Sequence, residues 1–348
     1  YNNNLSLDDN FQWKQWIHHH FGKSHRFVEL FCCQNYAFAN LHYSIIYLCM
    51  NSKLNQQIFS DLYLNNEIEV FVKRLDLIDP LISGNKLFKL KYNVDRALLK
   101  KKNMLITFGG AFSNHILATA AYAKKKNIDC LAIVRGEEYF ELNPLLTLAK
   151  EYGMKFCFVS RKEYSKRNDN KYVSELLRKY KKAYIVPEGG NNNLGVLGAE
   201  EILEKQDKTF DYIICPIGTG ATISGIVNSS KSTQKIIGVN CINEINDLNN
   251  NISQKTNKNN WKIINEFNFG GFAKFDNVLT EYLKKFKSNN KITLDLNYTT
   301  KMFFGFEELI NRRYFQRKSK VLLIHTGGIY GNLGFNYLYD LDLPYESN

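Results

Sequence analysis

The chain has 348 residues, 46 Lys and Arg against 34 Asp and Glu for a formal charge of +12, and 44% hydrophobic residues. That length supports a sizeable core in one large or two modest domains and excludes a mini-protein held by staples. The charge does not define a nucleic-acid binder, because the lysines are scattered among Asn, Ile, Tyr and Phe and no Arg-rich stripe gathers on one element.

The cysteines (Cys32, Cys33, Cys49, Cys130, Cys157, Cys215 and Cys241) are odd in number and lie mostly in apolar runs. They read as small hydrophobes in a reducing cytoplasm, with no disulfide framework, and no metal site is expected from their spacing. No apolar run reaches the length of a membrane span. The best stretch, 37–50, is short, holds Asn40 and His42, and lacks the basic start and cleavage pattern of a signal peptide.

In chain order, residues 1–53 read as an extension of uncertain structure, because at least 1–49 lack strand and helix alternation. His18, His19 and His20 are adjacent, so their side chains point in different directions and do not read as a metal site. From about residue 55, β-rich runs at 67–73, 104–108, 130–134, 155–159, 183–186, 212–215, 235–239 and 320–324 alternate with amphipathic stretches. One such stretch, 114–126, carries Ile116, Ala120 and Ala123 on an apolar face. The pattern predicts an α/β fold with mostly parallel sheets, whose ligands sit beyond the carboxyl ends of the strands. Residues 243–260 are Asn- and Lys-rich and read as a solvated loop without a site.

Four segments rich in Gly, Ser, Thr and Asn fall at predicted strand ends. In Ser83-Gly-Asn-Lys86, the lysine stands where an extended run turns into a helix, with Lys89 one turn further on the same face. Two such ammonium groups in a desolvated cleft disfavour each other's charge, which leaves an amine able to attack a carbonyl. Taken alone, the segment is equally a solvated basic helix start. Ser113-Asn114-His115 follows Gly109-Gly110 and heads a helix, either as a cap or as a carboxylate-binding hydroxyl with open amides. A protease-like triad is disfavoured, since His115 nearly adjoins Ser113 and the nucleophile elbow is absent.

Gly218-Thr219-Gly220-Ala221-Thr222 lies between the run 212–215 and a helix expected near Ile223. Its amides and two hydroxyls can surround an oxyanion at a helix start. It lacks the lysine of a Walker A loop and the full dinucleotide fingerprint, so a phosphate monoester fits better than ATP or NAD. As an isolated loop it is equally a tight glycine turn. His325-Thr326-Gly-Gly328 is the fourth segment.

A carbonyl-reactive lysine, a phosphate cradle and a Ser-Asn helix start together describe a pyridoxal-phosphate site. From about Met50 to Phe335 the motifs resemble the 1-aminocyclopropane-1-carboxylate (ACC) deaminase / D-cysteine desulfhydrase family of fold type II pyridoxal-phosphate enzymes. Those motifs are Val72-Lys-Arg-Leu-Asp76, Ser83 to Lys86, Phe108 to His115, Val134-Arg-Gly136, Pro187-Glu-Gly-Gly190, Gly218 to Thr222, Asp295-Leu-Asn-Tyr298-Thr299-Thr-Lys301 and His325 to Gly328. The resemblance implies a two-domain tryptophan-synthase-β-like fold: a large cofactor-binding domain of 54–90 plus 197–348, a small domain of 91–196, and a homodimer acting on a small amino acid.

It also implies roles. Lys86 would carry the cofactor, Lys89 and the 218–222 segment would hold its phosphate, Asn114 its ring hydroxyl, and Thr326 would lie near its ring nitrogen. Ser113, Asn114 and His115 would bind substrate, with Ser113 a candidate base and Tyr298 near the reacting carbon. Two departures matter: Thr299 stands where ACC deaminases have glutamate, and Phe272 falls where a second tyrosine is expected. Together they point to β-elimination, with D-cysteine desulfhydrase as the expected activity. ACC deaminase is the alternative within the enzyme class, and a cofactor-binding protein with little turnover or a basic nucleic-acid binder are the alternatives outside it.

Overall fold

The structure is a computed structural model, and it describes residues 54–136, 141–243, 245–256 and 258–346. The extension, with its histidine triplet, the 37–50 stretch and Cys32, Cys33 and Cys49, lies outside the described residues.

The strands are β1 (Asn55–Ile58), β2 (Glu69–Arg74), β3 (Met104–Gly110), β4 (Asp129–Arg135), β5 (Met154–Val159), β6 (Ala183–Ile185), β7 (Tyr212–Ile217), β8 (Lys235–Asn240), β9 (Trp261–Ile264) and β10 (Lys320–His325). The helices are α1 (Asp61–Asn65), α2 (Asn85–Leu99), α3 (Asn114–Lys125), α4 (Pro144–Glu151), α5 (Arg161–Tyr164), α6 (Asn170–Lys179), α7 (Asn193–Ala199), α8 (Ala221–Ser229), α9 (Ile245–Ser253), α10 (Asn277–Asn290), α11 (Thr299–Asn311) and α12 (Gly331–Tyr339).

Two sheets result. One has the order β1-β2-β10-β7-β8-β9, the other β5-β4-β3-β6. Every pairing is parallel except β1 with β2. The central strands are apolar almost throughout because helices cover both faces: all six residues of β7 are buried, as are five of six in β8 and β10. Val70, Val72, Ile214, Val239, Phe303, Phe306 and Leu323 belong to the core of the larger sheet. Leu90, Val94, Leu105, Ile116, Ala120, Ala132 and Met154 belong to that of the smaller. Each fully buried Leu, Ile or Phe contributes about 1.5–3 kcal/mol.

All eight anticipated strands are present, and the chain has the α/β architecture that the alternation implies. Two edge strands were not anticipated. β1 reads Asn-Gln-Gln-Ile and β9 has four residues after a polar stretch, so neither shows a usable period. The expectation of a loose loop over 243–260 is corrected by α9, in which Leu248 and Ile252, one turn apart, are buried among asparagines. The expected domain cut points fall within α2 and α7, which each continue across them. Among the described residues no helix is long and apolar enough to cross a membrane, and Cys130, Cys157, Cys215 and Cys241 are free.

Candidate active site

The four special loops follow β2, β3, β7 and β10 and lead into α2, α3, α8 and α12. The first and last meet backbone to backbone. Gly84 has φ +65°, and a Cβ there would lie 1.8 Å from the Thr326 carbonyl oxygen, so any other residue is both strained and obstructed. The next amide, Asn85 N–H, donates to the same carbonyl at 3.1 Å. This junction fixes where α2 begins. A buried charge cluster backs it: Arg74 Nε and Nη2 fork onto the Asp76 carboxylate at 2.7–3.2 Å, beside His325. Burial alone would raise the Asp76 carboxyl, but His325 and Arg74 hold it below its ordinary value.

Lys86 and Lys89 are the second and fifth residues of α2. Lys86 Nζ donates to Asn85 Oδ1 at 2.9 Å, and Asn85 Nδ2 donates to Thr222 Oγ1 at 2.8 Å, which links the lysine to the loop after β7. Burial pulls Lys86 down to about 8, while Asp295 and Cys215 pull the other way. Lys89 is 3% exposed. Its Nζ makes no hydrogen bond or ion pair with any described residue, and burial, then Lys86 and Lys255, push it well below the ordinary lysine value. A buried cation without a counter-charge is costly unless an anion joins it.

The place for that anion is nearby. β7 runs two residues further than expected and α8 starts at Ala221, so Ala221 and Thr222 form the first helical turn and Gly220, φ +89°, is the N-cap. No side-chain hydrogen bond caps the amides of this helix end. Its first-turn amides are therefore open, at the positive end of the helix dipole. Thr222 Oγ1 accepts from Asn85, which leaves its own proton free to donate. Thr219 abuts Gly189, and Gly218 faces the Tyr298 ring, where a Cβ on the glycine would stand 3.1 Å from Cε1.

Ser113 occupies the N-cap of α3, yet its hydroxyl makes no capping bond, so the purely structural role is absent. Asn114 Oδ1 is buried without a partner. Asn114 and Lys86 line one small cavity together with Ser83 and Gly328. His115 is turned into the protein, with Nε2 and Thr107 Oγ1 2.9 Å apart. The Thr107 hydroxyl donates to the Val186 carbonyl at 3.0 Å, so it accepts from His115, which fixes the Nε2–H tautomer. That bond holds one edge of the imidazole inside the protein, while Nδ1 is buried without a partner among the described residues, and the His115 main-chain amide lies in the first turn of α3. Thr326 contributes its carbonyl to the Gly84 junction, and its hydroxyl has no partner among the described residues.

Asp295 and Lys301, which were given no role from sequence, complete the arrangement around Tyr298 and Phe272. The buried Asp295 carboxylate accepts from the amides of Asn297, Tyr298 and Thr299 at 2.8–3.0 Å and from the Thr299 hydroxyl at 2.8 Å. It caps α11 and sets Tyr298 at the helix start. Burial, then Asp295, raises the Tyr298 phenol above its ordinary value and keeps it protonated. Phe272 stands beside Tyr298, ring centroids 6.3 Å apart. Its turn is held by the buried Lys301, whose Nζ donates to the Gly271 carbonyl at 2.6 Å. The Asp-x-x-x-Thr spacing was a readable cap signal; the Lys301 contact had none.

An unpaired buried cation, an uncapped helix start, an orphaned amide oxygen and a partly neutral lysine fit a ligand that offers a phosphate, a hydroxyl and a carbonyl. The class these features define is a cofactor-dependent α/β enzyme. The chain belongs to the pyridoxal-phosphate dependent enzyme family, whose sequence profile matches residues 59–327, and pyridoxal phosphate is its cofactor. It is 31% identical over 284 residues to a Thermotoga maritima protein provisionally named 1-aminocyclopropane-1-carboxylate deaminase, covering 75% of this chain and 89% of that one. It is 29% identical over 297 residues to the bifunctional D-cysteine desulfhydrase/1-aminocyclopropane-1-carboxylate deaminase, mitochondrial, of Arabidopsis thaliana, covering 77% and 74%. The crystal structure of an ACC deaminase homologue superposes with TM-score 0.70 at 27% identity, covering 82% of this chain and 93% of that one. The protein is thus a fold type II enzyme of the deaminase and desulfhydrase group.

The site has a pH signature. Burial, then Lys86 and Lys89, push the His115 imidazole well below the ordinary histidine value, with only the Pro187 main chain opposing. The folded chain keeps His115 neutral where the unfolded chain, below about pH 6.5, takes up a proton. Stability of the apo-protein should therefore fall as pH drops through that value. His115→Asn should lessen the fall, as read by urea unfolding on either side of it; an unchanged slope would contradict the assignment.

Proposed function

We propose that the protein catalyses β-elimination on a small amino acid, with D-cysteine as the preferred substrate: D-cysteine and water give pyruvate, ammonia and hydrogen sulfide. The observation that carries this reading is the pairing of Phe272 with Tyr298, which leaves one phenol where a cyclopropane-opening site calls for two. Thr299 adds to it. Its hydroxyl is committed to Asp295, so position 299 offers no carboxylate to a ring nitrogen.

When bound, pyridoxal phosphate supplies the electron sink for the charge that develops at the substrate's Cα. Lys86 would hold it covalently. With its pKa near 8, about one Lys86 in ten is neutral at pH 7, against roughly one in 2,500 for a lysine at its ordinary value. Lys89 and the open amides of residues 218–222 would hold the phosphate, with the Thr219 and Thr222 hydroxyls as further donors. Asn114 Oδ1 would accept from the ring hydroxyl, and the Thr326 hydroxyl would face the ring nitrogen. The amides of Asn114 and His115 and the Ser113 hydroxyl would bind the substrate carboxylate. Ser113, whose hydroxyl is not tied to the helix end, would receive the Cα proton while its own hydroxyl proton passes to the neutral Lys86 amine, and the protonated Tyr298 would donate to the departing sulfur. Thiolate leaves readily once Cα is deprotonated; a cyclopropane carbon needs a stronger sink and a positioned acid.

The same reading takes 54–90 with 197–348 as the large domain, 91–196 as the small one, and a homodimer as the working state. The separate positions of the two sheets along the chain support the division.

Two experiments test the function. Borohydride reduction followed by peptide mass analysis should find the cofactor on Lys86 in the wild type and nowhere in Lys86→Ala; a reducible adduct and turnover in that variant would rule out the assignment. In parallel, kcat/KM for D-cysteine should exceed that for ACC, and Phe272→Tyr should narrow the gap by about tenfold or more. A preference for ACC in the unmutated enzyme would make it a deaminase instead.

A further inference from the structure

The Asn-rich stretch around α9, which the sequence marks as solvent-facing, roofs the loop after β7. Ile252 Cγ1 and Leu248 Cδ1 lie 3.2 and 3.6 Å from where a Cβ on Gly220 would stand. Three residues after Ile252, the chain is tied back to α8: Asn228 Nδ2 donates to the Lys255 carbonyl at 3.1 Å. The Lys255 side chain then reaches Asn191, donating from Nζ to Oδ1 at 2.8 Å. Asn191 follows the two glycines that touch the site from the other side. A Cβ on Gly189 would lie 3.3 Å from Thr219 Cγ2, and one on Gly190 would lie 3.2 Å from Lys89 Cβ. Lys255 is thereby bracketed between the phosphate loop and Lys89.

The electrostatics agree. Lys255 lowers the pKa of Lys89, and is itself lowered by burial. Its hydrogen-bond partner is a neutral amide, and among the described residues no carboxylate pairs with either lysine. A phosphate monoester carries close to two negative charges at neutral pH. Lys89 supplies one compensating charge and the α8 dipole about half of another. Two ammonium groups that disfavour each other's charge without a counter-ion are relieved when a dianion enters.

We propose that Lys255 is a second cationic contact for the cofactor's phosphate, a binding residue contributed by the Asn-rich stretch around α9. The proposal rests on the placing of that phosphate at residues 218–222. It implies that Lys255 discriminates pyridoxal phosphate from pyridoxal, which lacks the phosphate.

The test is titration of the apo-protein with both compounds by fluorescence and absorbance, in Lys255→Gln, Lys255→Met, Lys255→Arg and Gly220→Val, each verified as folded by circular dichroism. The neutral variants should bind pyridoxal phosphate about tenfold more weakly, as for loss of one charge-assisted hydrogen bond. Pyridoxal binding should not change, and Lys255→Arg should stay near wild type. The salt sensitivity of pyridoxal phosphate binding should also decrease in the neutral variants. An equal loss for both compounds, or none for either, overturns the role of Lys255. Gly220→Val separates the two claims: if it fails to weaken pyridoxal phosphate selectively, the phosphate is misplaced; if it does so while the Lys255 variants do not, only Lys255 is misassigned.

Discussion

The structure is organised around two ammonium groups on one turn of α2, Lys86 half-buried and Lys89 buried, with no carboxylate bonded to either. Desolvating a cation costs several kcal/mol unless it is paired. Here the pairing is deferred to a ligand. Lys89 waits for an anion, and Lys86 relaxes toward the neutral amine that carbonyl chemistry requires. The buried carboxylate that acts on Lys86, Asp295, is occupied with the start of α11, so it moderates Lys86 without a bond to it.

Holding such a pair in place takes rigid surroundings, and the chain supplies them by joining strand ends. The Gly84–Thr326 junction locks the loop after β2 to the loop after β10, with the Arg74–Asp76–His325 cluster packed beneath. Asn85 extends the link to Thr222 and so to α8. A displacement at any of these joints moves the lysine relative to the cradle. Most of the stabilisation is placed in the apolar cores packed on the two sheets, while the cleft keeps an orphaned Asn114 oxygen and an unpaired Lys89. That division, local cost at the site offset elsewhere, is typical of functional sites.

Much of this was legible in the sequence. Buried parallel strands carry a nearly continuous apolar signal, so β2 to β8 and β10 stood out, and the glycine-rich strand ends marked the loops. Lys86, Lys89 and the loop after β7 could be placed because helix spacing fixes which residues share a face. Contacts made across the fold were not legible. Nothing local indicates that Thr222 bonds Asn85, that Lys301 holds the turn of Phe272, or that Lys255 leaves an asparagine-rich stretch to meet Asn191. His115 shows the same limit: its position beside Ser113 suggested a shared target, whereas its ring lies among Thr107 and Lys89 because a helix turns successive side chains by about 100°.

The central claim, that burial without a bonded counter-charge makes Lys86 an amine poised for carbonyl attack, can be measured directly. Site-resolved acylation of the apo-protein, followed across pH by mass spectrometry of the peptide that carries Lys86, reports that amine's own titration. The expected midpoint is about 8. A midpoint near the ordinary lysine value of about 10.4 would contradict it.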